Sequence, residues 1–130
     1  VLGLAALGLG AQAVVAADTD SLAVRATTDN RSLNQHDEAK LAVALGSVET
    51  LQRLLAGQRA DLLLCNILAP VIEALAPSFE SLLAKEGRAL LSGLLVDQAP
   101  RLKQVLGELG WTVTSSAEQG RWGLLEIRRA

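Results

Sequence analysis

Short apolar runs recur down this chain between longer stretches of helical spacing, and that alternation restricts the fold more than any other feature. A run of four to six apolar residues is too short for a helix but suits a strand whose two faces are both covered. The clearest such run is residues 60–65, where four apolar residues follow Asp61 in succession. Residues 13–17, 40–45 and 88–95 read the same way, the last closing at Ser92-Gly93. Between them lie helices. Residues 22–33 follow the N-cap chemistry of Asp20 and Ser21 and leave an apolar face of Leu22, Ala23, Ala26 and Leu33. Residues 48–56 stop at Gly57, and residues 71–83 start near Pro70, bend or restart at Pro77, and give way to Glu86-Gly87. Asp97 is the expected cap of a helix with Pro100 in its first turn, ending at Gly110. Residues 34–38 read as a solvated loop, and residues 111–116 and 122–128 as an antiparallel pair with Gly120 in its turn. The order predicts a single α/β domain over residues 1–130: a Rossmann-like, mostly parallel sheet with helices on both faces, closed by a C-terminal antiparallel hairpin.

Half of the 130 residues are hydrophobic and 20% are charged, so the chain folds rather than remaining disordered. Twelve Lys and Arg against 14 Asp and Glu give a net charge of -2, which offers no electrostatic footprint for nucleic acid or an anionic membrane. One Cys and one His exclude an internal disulfide and the usual catalytic metal cages. With two Trp, one Phe and no Tyr, an aromatic platform for single strands is disfavoured. Residues 1–17 carry no charge, but they lack a basic leader and fall short of a membrane span. Broken at Gly8 and Gly10, they read instead as the tail of a helix followed by a strand. The chain starts at Val1 and contains no Met, so it reads as a fragment.

In parallel α/β sheets, ligands bind beyond the carboxyl ends of the strands, so the residues there carry the functional expectations. Asp18 ends the first strand, where a carboxylate can accept hydrogen bonds from two ribose hydroxyls; the alternative is that Asp18, Thr19 and Asp20 only cap the next helix. Gly46-Ser47 ends the second, where a glycine admits a flat ligand to the backbone, or serves as an ordinary turn. Asn66 stands at the mouth of the most hydrophobic strand and offers both a donor and an acceptor; the plainer alternative is an Asx turn opening the next helix. Cys65 and His36 could form a nucleophile and base, but no orienting residue is evident and a buried thiol with a solvated imidazole explains them. The scattered carboxylates, among them Glu73, Glu80 and Glu108, form no dyad. Trp111 and Trp122 are expected to pack on each other or on a helix.

Four segments, VLGLAALGLGA at residues 1–11, VVAADTD at 14–20, ADLLLCNILA at 60–69 and GRALLSG at 87–93, resemble class I S-adenosylmethionine-dependent methyltransferases. They are most similar to the family that methylates ribosomal protein L-eleven, in order and approximate spacing over nearly the whole chain. Asn66-Ile67-Leu68-Ala69 resembles that family's version of the Asn-Pro-Pro-Tyr type motif and is the more specific signal. The resemblance implies that Asp18 holds the cofactor ribose and that Gly46-Ser47 lies by the adenine. It places Asn66 beside the methionine end of S-adenosylmethionine, with Ile67 and Leu68 on the substrate side. It implies a cytoplasmic enzyme transferring methyl groups to lysine side chains and the N-terminal amine of ribosomal protein L-eleven. The family's first strand and glycine-rich loop would precede Val1, so the expectation is a fragment inactive alone. A methyltransferase acting on another protein or small molecule, and a non-catalytic α/β module binding a nucleotide or partner, are the alternatives.

Overall fold

The computed structural model describes residues 2–33 and 40–130. The expected loop at 34–38, with His36, lies outside the described residues. The contacts of the chain cluster into two compact units, Val1–Gln58 and Arg59–Ala130. Each has its own sheet.

The first unit runs α1 (Leu2–Gly8), β1 (Val14–Asp18), α2 (Ser21–Leu33), β2 (Leu41–Leu45) and α3 (Val48–Leu55). Gly10, at φ 111°, breaks the chain between α1 and β1, as its position predicts. β1 and β2 pair in parallel, with Val14 opposite Leu41 and Asp18 opposite Leu45. A parallel pair needs a crossover connection, and α2 is that connection. Its N-terminus is capped as expected, the Leu22 N–H donating to Asp20 Oδ1 at 2.9 Å. Its inward face differs from the apolar stripe read in the sequence: Leu22 and Leu33 are exposed, while Ala23, Val24, Thr27, Thr28 and Arg31 are half-buried. The threonines can face inward because their hydroxyls donate to the carbonyls of Ala23 and Val24 one turn back. Arg31 donates to the Leu41 carbonyl at 3.0 Å, tying the helix to β2. α3 ends with Ala56 in the left-handed region at φ 51°, followed by Gly57. Among the described residues of this unit, only Leu41 and Thr50 are fully buried.

The second unit comprises β3 (Ala60–Asn66), α4 (Ala69–Leu75), a 3₁₀ turn (Ala76–Ser78), α5 (Phe79–Leu82) and β4 (Leu83–Leu95). It continues through a second 3₁₀ turn (Val96–Gln98), α6 (Ala99–Glu108), β5 (Trp111–Gln119) and β6 (Trp122–Arg129). Pro70 stands in the first turn of α4, and Pro77 breaks the helix into α4 and α5, as the sequence predicts. The strand order is β3-β4-β6-β5, with β3 and β4 parallel and the other two pairings antiparallel. The chain is thus an α/β fold with parallel βαβ pairs and a C-terminal antiparallel hairpin, as expected.

Three local readings are corrected. β4 begins at Leu83 rather than 88, because Leu83 pairs with Ala60 before residues 84–87 leave the ladder, which resumes at Arg88 opposite Leu62. Gly87 lies against the Ala60 carbonyl, where an added Cβ would sit 3.1 Å from that oxygen. Asp97 does not cap α6; the Leu95 N–H donates instead to Gln98 Oε1 at 2.9 Å. β3 is also less buried than its leucines suggest: Leu62 is 38% exposed, and Leu63, Leu64 and Cys65 are half-buried. The core lies on one face of this sheet, where Ile72, Phe79, Leu102 and Leu106 meet Leu91, Leu125 and Ile127. Among the described residues, β1 pairs only with β2 and β3 only with β4.

Candidate functional site

At the carboxyl ends of β1 and β2, the first unit brings Asp18 and Gly46-Ser47 together. The Gly46 N–H donates to the Asp18 carbonyl at 2.9 Å, so the two strand ends are tied where the ladder finishes. The Asp18 side chain is exposed, and its Oδ1 accepts the Asp20 N–H at 2.9 Å. That bond occupies one carboxylate oxygen and fixes the plane of the group. Capping falls to Asp20, which leaves the Asp18 carboxylate with capacity for a ligand. Gly46 takes φ 138°, and an added Cβ there would run into the Thr50 hydroxyl. Thr50, itself buried, donates to the Leu45 carbonyl at 3.2 Å and closes the turn from below. Ser47 precedes α3 without capping it through its side chain; its N–H donates to Glu49 Oε1 at 3.3 Å.

In the second unit, Asn66, Ile67 and Leu68 leave the carboxyl end of β3 and form one wall of an open cavity of about 790 Å³. Ser92-Gly93, at the far end of β4, and Glu118, Gln119 and Trp122 on the β5–β6 hairpin line the same cavity. The Ile67 N–H donates to the Ser92 carbonyl at 3.1 Å, and the Ser92 hydroxyl lies 3.5 Å from the Cys65 carbonyl it donates to. Asn66 is exposed, and no backbone N–H among the described residues donates to its side chain. α4 begins at Ala69 after Leu68, and no side chain caps it, so opening that helix does not account for this asparagine. Leu68 is 64% exposed and offers an apolar surface at the rim. Within the cavity lining, Glu118 is the charged residue.

Cys65 faces away from thiolate chemistry. Burial pushes its thiol up to about 11 from the ordinary value of 9.0, so it is protonated at neutral pH. Among the described residues, no group of His, Cys, Asp and Glu could hold a metal ion. No described helix is long and apolar enough to cross a membrane.

The tryptophans do not pack on each other. Trp111 is buried, meets Phe79 of α5 edge to face at 6.5 Å and 71°, and carries the Arg129 guanidinium 5.3 Å from its ring centre. Trp122 pairs with Gln119 at the other end of the hairpin and stands 55% exposed at the cavity. Sequence reasoning missed it, although a signal was present. Leu125 and Ile127 face the core, so alternation puts Trp122 on the opposite face with Glu126 and Arg128. A large aromatic on that face is a contact surface rather than core.

The sequence matches the family model described as ribosomal protein L11 methyltransferase (PrmA) over residues 1–130. It is 78% identical over 129 residues to a protein of that name from Parasynechococcus marenigrum, covering 99% of this chain and 45% of the relative. It is 63% identical to another from Synechococcus sp. (strain RCC307), covering 100% of this chain and 43% of that one. The chain therefore spans less than half the length of these curated relatives. Its structure is similar to a crystal structure of ribosomal protein L11 methylase from Lactobacillus delbrueckii subsp. bulgaricus. There the TM-score is 0.85 at 32% identity, covering 98% of this chain and 63% of that one.

Proposed function

We propose, because this chain belongs to the ribosomal protein L11 methyltransferase family, that it carries the transfer site of an enzyme using S-adenosylmethionine to methylate amines of ribosomal protein L11. The amines are lysine side chains and the N-terminal amine, and the place of action is the cytoplasm. The observation that carries this reading is Asn66: an exposed carboxamide that caps no helix, at the strand-end mouth of a roomy cavity. The names of the relatives and their identity to this chain support the same reading.

The residues present fit such a cofactor. The Asp18 carboxylate, held in one plane by the Asp20 N–H, suits a pair of ribose hydroxyls. Gly46-Ser47, at the end of the neighbouring parallel strand, stands where the adenine of such a cofactor would lie. Bound S-adenosylmethionine supplies a methyl group on a sulfonium, whose displacement leaves a neutral thioether. The nucleophile is the deprotonated amine, its proton given up to solvent before transfer, and residues of the chain orient it and exclude water at the reacting atoms. A carboxamide is suited to orienting an amine, because the Asn66 side chain can accept from the incoming N–H and turn the nitrogen lone pair toward the methyl carbon. Ile67 and Leu68 dry the approach, and Trp122 gives the amine's methylene stem a flat wall.

Calorimetry with S-adenosylhomocysteine, on the full-length protein and its Asp18→Ala variant, tests the first half of the assignment. Loss of two hydrogen bonds to a charged group, about 1.5–3 kcal/mol each, weakens binding by about 100-fold or more. Methylation of L11 by Asn66→Ala tests the second: turnover falls while cofactor affinity stays. A wild-type protein that folds and does not bind overturns the methyltransferase reading. Full turnover in Asn66→Ala removes Asn66 from it.

A further inference from the structure

The last residues of β4 bear on Asn66 more closely than the hydrogen bonds alone convey. In the β4–β6 ladder Ser92 pairs with Leu124 and Leu94 with Gly123, so Gly93 is an extra residue with no partner. It is a β-bulge, and Gly93 takes φ 85°, a conformation that L side chains rarely adopt. The space around it is closed on one side. A Cβ at Gly93 would stand 2.7 Å from the Ile67 carbonyl oxygen, 2.8 Å from Ile67 N and 2.8 Å from Asn66 Oδ1. The Asn66 carboxamide and the peptide that follows it thus lie directly on the bare α-carbon of Gly93. The Ile67 N–H bond to the Ser92 carbonyl fixes the same stretch from one residue earlier.

We propose that Gly93 is a positioning residue for methyl transfer: its bulge and missing side chain form the seat that holds the Asn66 carboxamide in its working orientation. The inference rests on the reading of Asn66 given above. A carboxamide on an exposed strand end would otherwise sample several rotamers, and ordering one would cost part of the alignment the reaction needs. The bulge supplies that order in advance. It ends the regular ladder where a side chain must be aimed at a cavity rather than at a neighbouring strand. An added Cβ would push the Asn66–Ile67 segment outward, and a displacement of about 1 Å at a reacting group can cost about 10²-fold in rate.

The test is a double-mutant cycle in full-length protein, with Asn66→Ala, Gly93→Ala and the pair, read as kcat and KM for L11 and as S-adenosylhomocysteine affinity. Gly110→Ala is the control, because Gly110 also has positive φ, at 90°, but nothing lies within 4 Å of its added Cβ. It shares the backbone strain without touching Asn66. Gly93→Ala is expected to lower kcat by about the factor seen for Asn66→Ala, roughly 10²-fold, with KM little changed. The pair should be no slower than Asn66→Ala alone, since the seat has nothing left to hold. Gly110→Ala should keep its kcat. Factors that multiply in the pair, or a Gly93→Ala kcat equal to that of Gly110→Ala, overturn the role of Gly93 while leaving Asn66 standing. Full turnover in Asn66→Ala overturns both. Should Gly93→Ala not fold, the wild-type Asn66 side-chain amide decides by NMR relaxation. An order parameter near the rigid-backbone value of about 0.85 is expected, and one below about 0.6 overturns the seat.

Discussion

Cys65 makes the stability of this chain fall on the alkaline side by an amount that follows from its burial. In the folded chain the thiol keeps its proton up to about pH 11, whereas in the unfolded chain it loses it at the ordinary 9.0. Between those values the unfolded state binds fewer protons than the folded one, so unfolding becomes easier as pH rises. The contribution is complete below pH 9 and is lost as pH passes through 9 to 11. At pH 10 the linkage relation gives a loss of about 1.3 kcal/mol relative to pH 8, and at pH 11 about 2.3 kcal/mol. Comparison with Cys65→Ala isolates the share of this thiol, because everything else is common to both proteins. The assay is urea unfolding followed by circular dichroism at pH 8, 9 and 10, for both proteins. The variant differs from wild type by a constant at pH 8, and the gap closes or reverses by about 1.3 kcal/mol at pH 10. Two stability curves that stay parallel from pH 8 to 10 would refute this linkage, because they would mean the thiol titrates alike in both states.

Removing the Phe79 ring, which is 2% exposed and meets Trp111 edge to face, should cost about 3–5 kcal/mol in Phe79→Ala by chemical denaturation. A loss below about 1 kcal/mol would mean that the core is not closed around this ring. Asp20→Ala should cost about 1 kcal/mol through the lost cap of α2, while Asp20→Asn, which keeps the acceptor, should cost much less. Equal losses in the two variants would trace the effect to charge and not to the cap.

The order of elements was legible because strands covered by helices must be written as short apolar runs, and residues 13–17, 40–45 and 60–65 are such runs. Pro70, Pro77 and Pro100 marked the helix starts correctly because a missing N–H is harmless in a first turn. What escaped depended on partners distant in sequence. The inward face of α2 keeps Ala23, as its apolar spacing suggests, but adds Thr27, Thr28 and Arg31, whose polar groups find carbonyls only in the folded chain, so Leu22 and Leu33 are left outside. The early start of β4 follows from a pairing of Leu83 with Ala60 that no local pattern announces. Asp18, Gly46-Ser47 and Asn66 do lie where the parallel strands stop, a placement that the short apolar runs before them mark in the sequence. Trp111 packs on a helix, as the sequence suggests, but Trp122 does not pack on it, because the register separates the two to opposite ends of the hairpin, and no local pattern announces that register.

The uneven burial of the two units has a consequence for how the molecule breathes. Among the described residues, the first unit encloses only Leu41 and Thr50, while Ile72, Phe79, Leu91, Leu106, Leu125 and Ile127 are sealed in the second. Local opening costs least where few apolar contacts are lost, so the strands of the first unit open at lower cost than those of the second. In deuterium the amides of Val14–Asp18 and Leu41–Leu45 exchange through small, frequent fluctuations. Those of Leu91 and Ile127 wait for the second unit to come apart as a whole.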